Sequence, residues 1–182
     1  MKSLLCMSFC LLVSCFSLQA QKNVVINGSP LADEVVAYLE YQYQVQIQAG
    51  RYWYDAVNGW WGVQGQAVAG VIAPGMNLGG RLQAQASNGR TGVFINGRQV
   101  NSAELYHLKR IVGDAIPRGY YWMDAYGNAG PNGSYATVNI YQAAQRGQSR
   151  STYSRSFATD VGYGSNGKDF YIMGDGFSYT NF

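Results

Sequence analysis

The chain has 182 residues, 47% of them hydrophobic and only 13% charged, with 23 Gly and 15 Tyr. That length fits one domain or two small fused ones, and the apolar content excludes a disordered chain. The net charge of +3 is too small to mark a nucleic-acid-binding surface.

The N-terminus reads as an export leader. Lys2 supplies the positive end, Ser3 to Val13 the apolar stretch, and Leu18-Gln19-Ala20 a small residue before a cleavage point. Residues 1–20 are therefore expected to be a signal peptide, and the mature chain to be secreted or periplasmic. Leu12-Val13-Ser14-Cys15 also resembles a lipobox, whose processing would make a membrane-anchored lipoprotein through Cys15. The apolar run is too short to span a bilayer, and no later segment reads as a transmembrane helix. All three cysteines lie in the leader, so the mature protein would have no disulfide, no thiolate chemistry and no Cys-based zinc site. Removal of Lys2 leaves 12 basic and 10 acidic side chains, a net charge of +2.

The next segments contain an internal repeat. A shift of 69 residues lays Val24-Val25-Ile26-Asn27-Gly28 on Val93-Phe94-Ile95-Asn96-Gly97, and Gly50-Arg51-Tyr52-Trp53-Tyr54-Asp55-Ala56 on Gly119-Tyr120-Tyr121-Trp122-Met123-Asp124-Ala125. Eleven of the 36 positions from Val24 to Gly59 are identical, which points to a duplicated unit. One deletion extends the match through Gly65 and Gly133, giving repeats at 22–67 and 91–135. Each unit reads strand, helix, strand, turn, strand. Val36, Leu39 and Tyr43 match Leu105, Leu108 and Val112 at the spacing of a buried helix face. Ser29-Pro30 suggests a helix start with Pro at its first position, and Asn101 with Glu104 suggests a capping box. Helices are thus expected near 30–43 and 101–112, the second ending at Gly113. Six Asn-Gly pairs, at 27, 58, 88, 96, 132 and 166, predict tight turns.

Between the units, residues 68–90 read as a linking hairpin segment. Arg81 to Ala86 alternates like a strand, Asn88-Gly89 turns, and Thr91 to Ile95 returns. Beyond the duplicated domain (21–145), residues 146–156 read as a Ser/Arg-rich linker. Residues 157–182 read as a tail in which Asp169–Met173 and Phe177–Thr180 form a hairpin around Gly174-Asp175-Gly176. The expected fold class is α+β: two repeated β-α-β-β units with pseudo-twofold symmetry, a mainly antiparallel sheet, one helix per unit, and extra hairpins between the units and at the C-terminus.

The segments GRYWYDAVNGWWGVQGQ, LGGRLQAQASNGRTGVFINGR and GYYWMDAYGNAG resemble a group of uncharacterised secreted microbial proteins that share G-R-Y-W-Y-D and G-V-F-I-N-G-R signatures. The resemblance covers roughly residues 26–135. It supports the domain assignment and brings no activity, ligand or cofactor with it.

The aromatic residues are the main candidates for function. All four Trp (53, 60, 61, 122) lie in the repeat hairpins. Trp60 and Trp61 cannot face the same side of a regular strand, so one of them, with Tyr52, Tyr54 and Tyr120, is a candidate ligand platform. Flat rings suit the apolar faces of sugars and also anchor protein partners. Trp53 and Trp122 read as core. Asp55 and Asp124 are repeat-equivalent; paired carboxylates can cleave glycosidic bonds, but Asp at this place also anchors turns. His107 is the single histidine, and no G-x-S-x-G motif accompanies it. One His and no mature Cys disfavour zinc, and the tail carboxylates lack EF-hand spacing, so no metal and no cofactor are expected.

These residues point first to an exported non-catalytic binding module that recognises glycan or another cell-surface component through exposed aromatics. A secreted hydrolase using carboxylates, and a structural or assembly protein of the cell envelope, are the alternatives. Ligand identity and oligomeric state are not read from the sequence.

Overall fold

The computed structural model describes residues 22–113, 115–148, 162–165 and 170–173, from residue 147 onward by backbone alone. The leader, Cys15 and most of the expected linker and tail lie outside the described residues.

The chain opens with β1 (Val24–Ile26) and β2 (Ser29–Pro30), an antiparallel pair joined through Asn27 (φ 50°) and Gly28 (φ 84°). Two successive positive φ values define a type I′ turn, which Asn-Gly adopts more readily than other pairs. Pro30 sits in this edge strand and does not start a helix, contrary to the sequence expectation. The reason is local: Leu31 N–H donates to Val24 O at 2.8 Å, which keeps 29–31 extended, and an edge strand tolerates a residue with no N–H. Helix α1 (Asp33–Tyr43) begins after Ala32 without a side-chain cap and ends at Gln44 in the left-handed region. Then come β3 (Gly50–Tyr54), β4 (Trp60–Val63) and β5 (Gly70–Val71). The five strands make one sheet in the order β2-β1-β3-β4-β5, with β1 and β3 parallel and the other neighbours antiparallel.

The second half uses β6 (Val93–Ile95), β7 (Arg98–Gln99), α2 (Ser102–Val112), β8 (Gly119–Met123), β9 (Asn128–Pro131) and β10 (Val138–Asn139). Its sheet order is β7-β6-β8-β9-β10, again with one parallel pair. The registers correspond: Val24 faces Gly50 and Val93 faces Gly119; Trp53 faces Gly62 and Trp122 faces Gly130. Here α2 carries the expected capping box, with Asn101 Oδ1 accepting from Glu104 N and Glu104 Oε2 accepting from Asn101 N, and it ends at Gly113 (φ 98°). The fold is α+β with two mixed, mostly antiparallel sheets.

Two features depart from the sequence reading, and the tail adds a pairing that it did not include. Arg81–Ala86 forms no strand; 84–87 is a turn, and Ala86 and Ser87 are buried. A third helix, α3 (Ile140–Gln148), covers the first residues assigned to the linker. In the tail, β12 (Phe170–Met173) pairs with β11 (Gly162–Ser165); residues 177–180, the expected hairpin partner, lie outside the described residues.

Two cores organise the packing. The first gathers Val24, Ile26, Val36, Leu39 and Tyr54 between α1 and one face of the first sheet, with Tyr52 and Trp61 packed against it. The second gathers Val93, Ile95, Val100, Leu108 and Met123, and also Trp53 and Trp60 from the opposite face of the first sheet. The first sheet is therefore covered on both sides. Contacts between the halves are not reciprocal. Asn96 Nδ2 donates to Asp55 at 2.8 Å, whereas its counterpart Asn27 Nδ2 donates to Tyr54 O and Gly80 O. A twofold axis would require each contact to occur twice; the Asn96–Asp55 contact occurs once, so these contacts do not confirm the pseudo-twofold expectation.

Candidate binding surface

Strand alternation decides where each aromatic points. On β3, Tyr52 and Tyr54 face α1 and Trp53 faces the second core. Tyr54 is buried, and its hydroxyl donates to Ala73 O at 2.6 Å. Tyr52 is half-buried, edge-on to Trp61 with ring centroids 6.2 Å apart, and its hydroxyl donates to Gln48 O at 2.9 Å. Trp60 and Trp61 do point to opposite faces of β4, as expected. Because both faces are covered, Trp60 is buried in the second core and Trp61 is half-buried against the first. Of the five platform candidates, only Tyr120 is well exposed, at 60%.

Tyr120 lies on β8 on the side away from α2. Its register partner on β6 is Phe94, and the two rings stack with centroids 4.7 Å apart at 18°. Trp122, two residues on, shares this face and is half-buried. The opposite side of β8, with Tyr121 and Met123, packs into the second core. Phe94, Tyr120 and Trp122 thus form an aromatic face on the outer side of the second sheet. Sequence reasoning passed over Phe94, although the repeat held the signal: Val25 and Arg51 occupy the matching places in the first unit.

On the matching face of the first unit, Val25 is half-buried and Arg51 is exposed, and the Trp53 end forms a buried joint. Trp53 is fully buried. Its indole N–H donates to Gln66 O at 3.1 Å, as that of Trp122 donates to Ser134 O at 3.0 Å. The Arg98 guanidinium lies 4.1 Å from the centroid of the Trp53 ring. Arg98 Nη1 also donates to Glu104 Oε2 at 2.9 Å and to Ser87 Oγ at 2.7 Å. Glu104 Oε1 accepts from Val68 N at 2.9 Å, which links α2 to the segment between β4 and β5. Further hydrogen bonds offset the desolvation cost of a buried ion pair; Glu104 receives them from the Val68 and Asn101 backbone amides, while Arg98 Nε is buried without a hydrogen-bond partner. Sequence reading identified Glu104 as a cap but gave no sign of its partnership with Arg98.

The two aspartates anchor turns. Asp55 Oδ1 accepts from Val57 N at 2.9 Å, and Asp124 Oδ1 from Tyr126 N at 2.9 Å. Asp124 also accepts from Asn128 N and Nδ2, both at 2.9 Å. Asp55 is 3% exposed. Burial pushes its carboxyl above the ordinary value of 3.8, opposed by the Asn96 amide and by Arg98. His107, on α2, meets Tyr106 edge-on at 5.3 Å; partial burial and Arg110 lower its pKa. No group of three or more metal-ligating side chains occurs among the described residues, and none of their helices is long and apolar enough to cross a membrane.

The chain is similar to two proteins of Arabidopsis thaliana. It is 36% identical over 107 residues to extra-large guanine nucleotide-binding protein 1 and 31% identical over 107 residues to extra-large guanine nucleotide-binding protein 2. Each match takes in 58% of this chain but only 12% of the plant protein. No family model matches the chain, and no solved structure matches it.

Proposed function

We propose that this chain is an exported, non-catalytic binding module that recognises glycan or another cell-surface component. Its binding surface is the Phe94–Tyr120–Trp122 face of the second sheet, and the two sheets are copies of one ancestral unit stacked head to tail. The single observation that carries this reading is the exposed Tyr120 ring stacked on the half-buried Phe94. Exposed rings grouped on one sheet face are a recurrent recognition feature. The duplication is supported by the equal strand orders and registers.

Catalysis by Asp55 and Asp124 is disfavoured by their bonds. Both carboxylates hold backbone amides of their own turns, and Asp55 is closed to solvent. The similarity to a short stretch of much longer plant proteins supports a portable module, one that occurs inside larger assemblies. Their guanine-nucleotide binding does not extend readily to this chain, whose sequence has no GxxxxGK followed by Ser or Thr.

The test compares wild type with Tyr120→Ala on a glycan array and on cell-envelope preparations. Tyr120 is exposed, so the variant should fold normally and bind at least about tenfold more weakly. Equal binding by the two proteins would remove the face from consideration.

A further inference from the structure

The joint between the units shows what kind of group this face accepts. In the first unit, the Trp53 ring carries the Arg98 guanidinium at 4.1 Å, and the adjacent Asp55 carboxylate accepts an amide N–H from Asn96. Trp122 and Asp124 stand at the same places in the second unit. The indole-to-carbonyl bond and the aspartate turn are the same in both. Among the described residues, however, no guanidinium stacks on Trp122.

From this we infer that the Trp122 face docks a protein segment that presents an arginine. The guanidinium would lie on the Trp122 ring with an N–H directed at Asp124, and the neighbouring Phe94–Tyr120 stack would hold apolar side chains of the same segment. The inference rests on the binding-module reading and assigns its partner class.

Three arguments select this occupant. Arginine stacks on indole and is weakly hydrated, so it can leave water at low cost, whereas lysine keeps its hydration. A carboxylate beside the ring adds attraction for a cation that a neutral sugar would not use. A second copy of this chain lacks the required group: where the second unit has Arg98 and Glu104, the first has Ser29 and Val35. Stacking another copy on the Trp122 face would therefore supply neither the guanidinium nor its carboxylate partner.

The probe is a synthetic peptide with the sequence of residues 96–106, which contains Arg98, alongside analogues with lysine or citrulline in place of the arginine. The full mature chain is labelled with 15N, and the indole N–H signal of Trp122 is identified by its loss in Trp122→Phe. The arginine peptide should shift this signal saturably, and the lysine and citrulline peptides should bind at least about tenfold more weakly. The analogues require no change to the protein, so the comparison survives even if a Trp122 variant misfolds. Asp124→Asn, with its fold verified by the same spectrum, should weaken the arginine peptide several-fold and leave the citrulline peptide unaffected.

Absence of a saturable shift, or equal binding of arginine and citrulline peptides, would overturn the inference. Tyr120-dependent glycan binding in that situation would leave the binding-module reading standing. Concentration-dependent self-association abolished by Trp122→Phe would instead identify a second copy as the occupant and overturn the assignment to another protein. If neither glycans nor peptides bind, both readings fail.

Discussion

Trp53 and Trp122 occupy one position in two sheets of equal strand order, and they have different fates. Each faces a glycine across an antiparallel pair, and each donates its indole N–H to a carbonyl of the following loop. Trp53 is sealed beneath Arg98 and the second core; Trp122 remains at the surface beside Phe94 and Tyr120. The register and the indole bond are the same, although Val25 and Arg51 stand where the second unit has Phe94 and Tyr120. What differs is whether another unit lies on top. In the head-to-tail stack proposed above, the Trp53 end of the first unit's outer face is core and the last unit's outer face has no further unit to cover it.

The comparison breaks most severely at the charge pair that seals the first face. Glu104→Ala should cost about 3–5 kcal/mol of stability, because it leaves the Arg98 guanidinium buried without its counter-charge. Val35→Ala, at the matching place on α1, removes only a half-buried apolar side chain and should cost about 1 kcal/mol. Urea unfolding of the two variants measures the difference; similar losses would mean that the ion pair does not hold the joint.

A smaller effect separates low from neutral pH. The Asp55 carboxyl has a raised pKa in the fold, chiefly through burial. Between its ordinary value of 3.8 and the raised folded value, the unfolded chain is ionised while the folded chain still holds the proton. Its contribution is therefore fully present below 3.8 and is lost as pH rises through the folded value. Asp55→Asn should remove this loss. Unfolding midpoints measured from below pH 3.8 to neutrality should fall less steeply for the variant than for wild type; parallel profiles would contradict the assignment to Asp55.

Much of the architecture was legible because it is written in local rules. The Asn27-Gly28 and Asn96-Gly97 turns, the Asn101–Glu104 box and the i, i+3, i+7 stripes each act within a few residues. The repeat pointed to a helix near 30–43, which forms over Asp33–Tyr43. Pro30 misled because its fixed φ suits an edge strand as well as a helix start. Arg81–Ala86 alternates yet has no strand to pair with, and alternation without a partner makes no sheet. The binding face was least legible. Trp60 and Trp61 are conspicuous in the sequence, but their exposure depends on what covers each face of β4. Phe94 and Tyr120 meet only through a parallel register between strands far apart in the chain. The Arg98–Trp53 stack is likewise a contact between units.

The most direct measurement is urea unfolding of Trp53→Ala and Trp122→Ala side by side. The account predicts a loss of about 3–5 kcal/mol for Trp53, a fully buried side chain. For Trp122 it predicts about 1 kcal/mol, because half-buried surface residues away from such joints contribute little. Equal losses at the two positions would contradict the division of one repeated face into a core and a free surface.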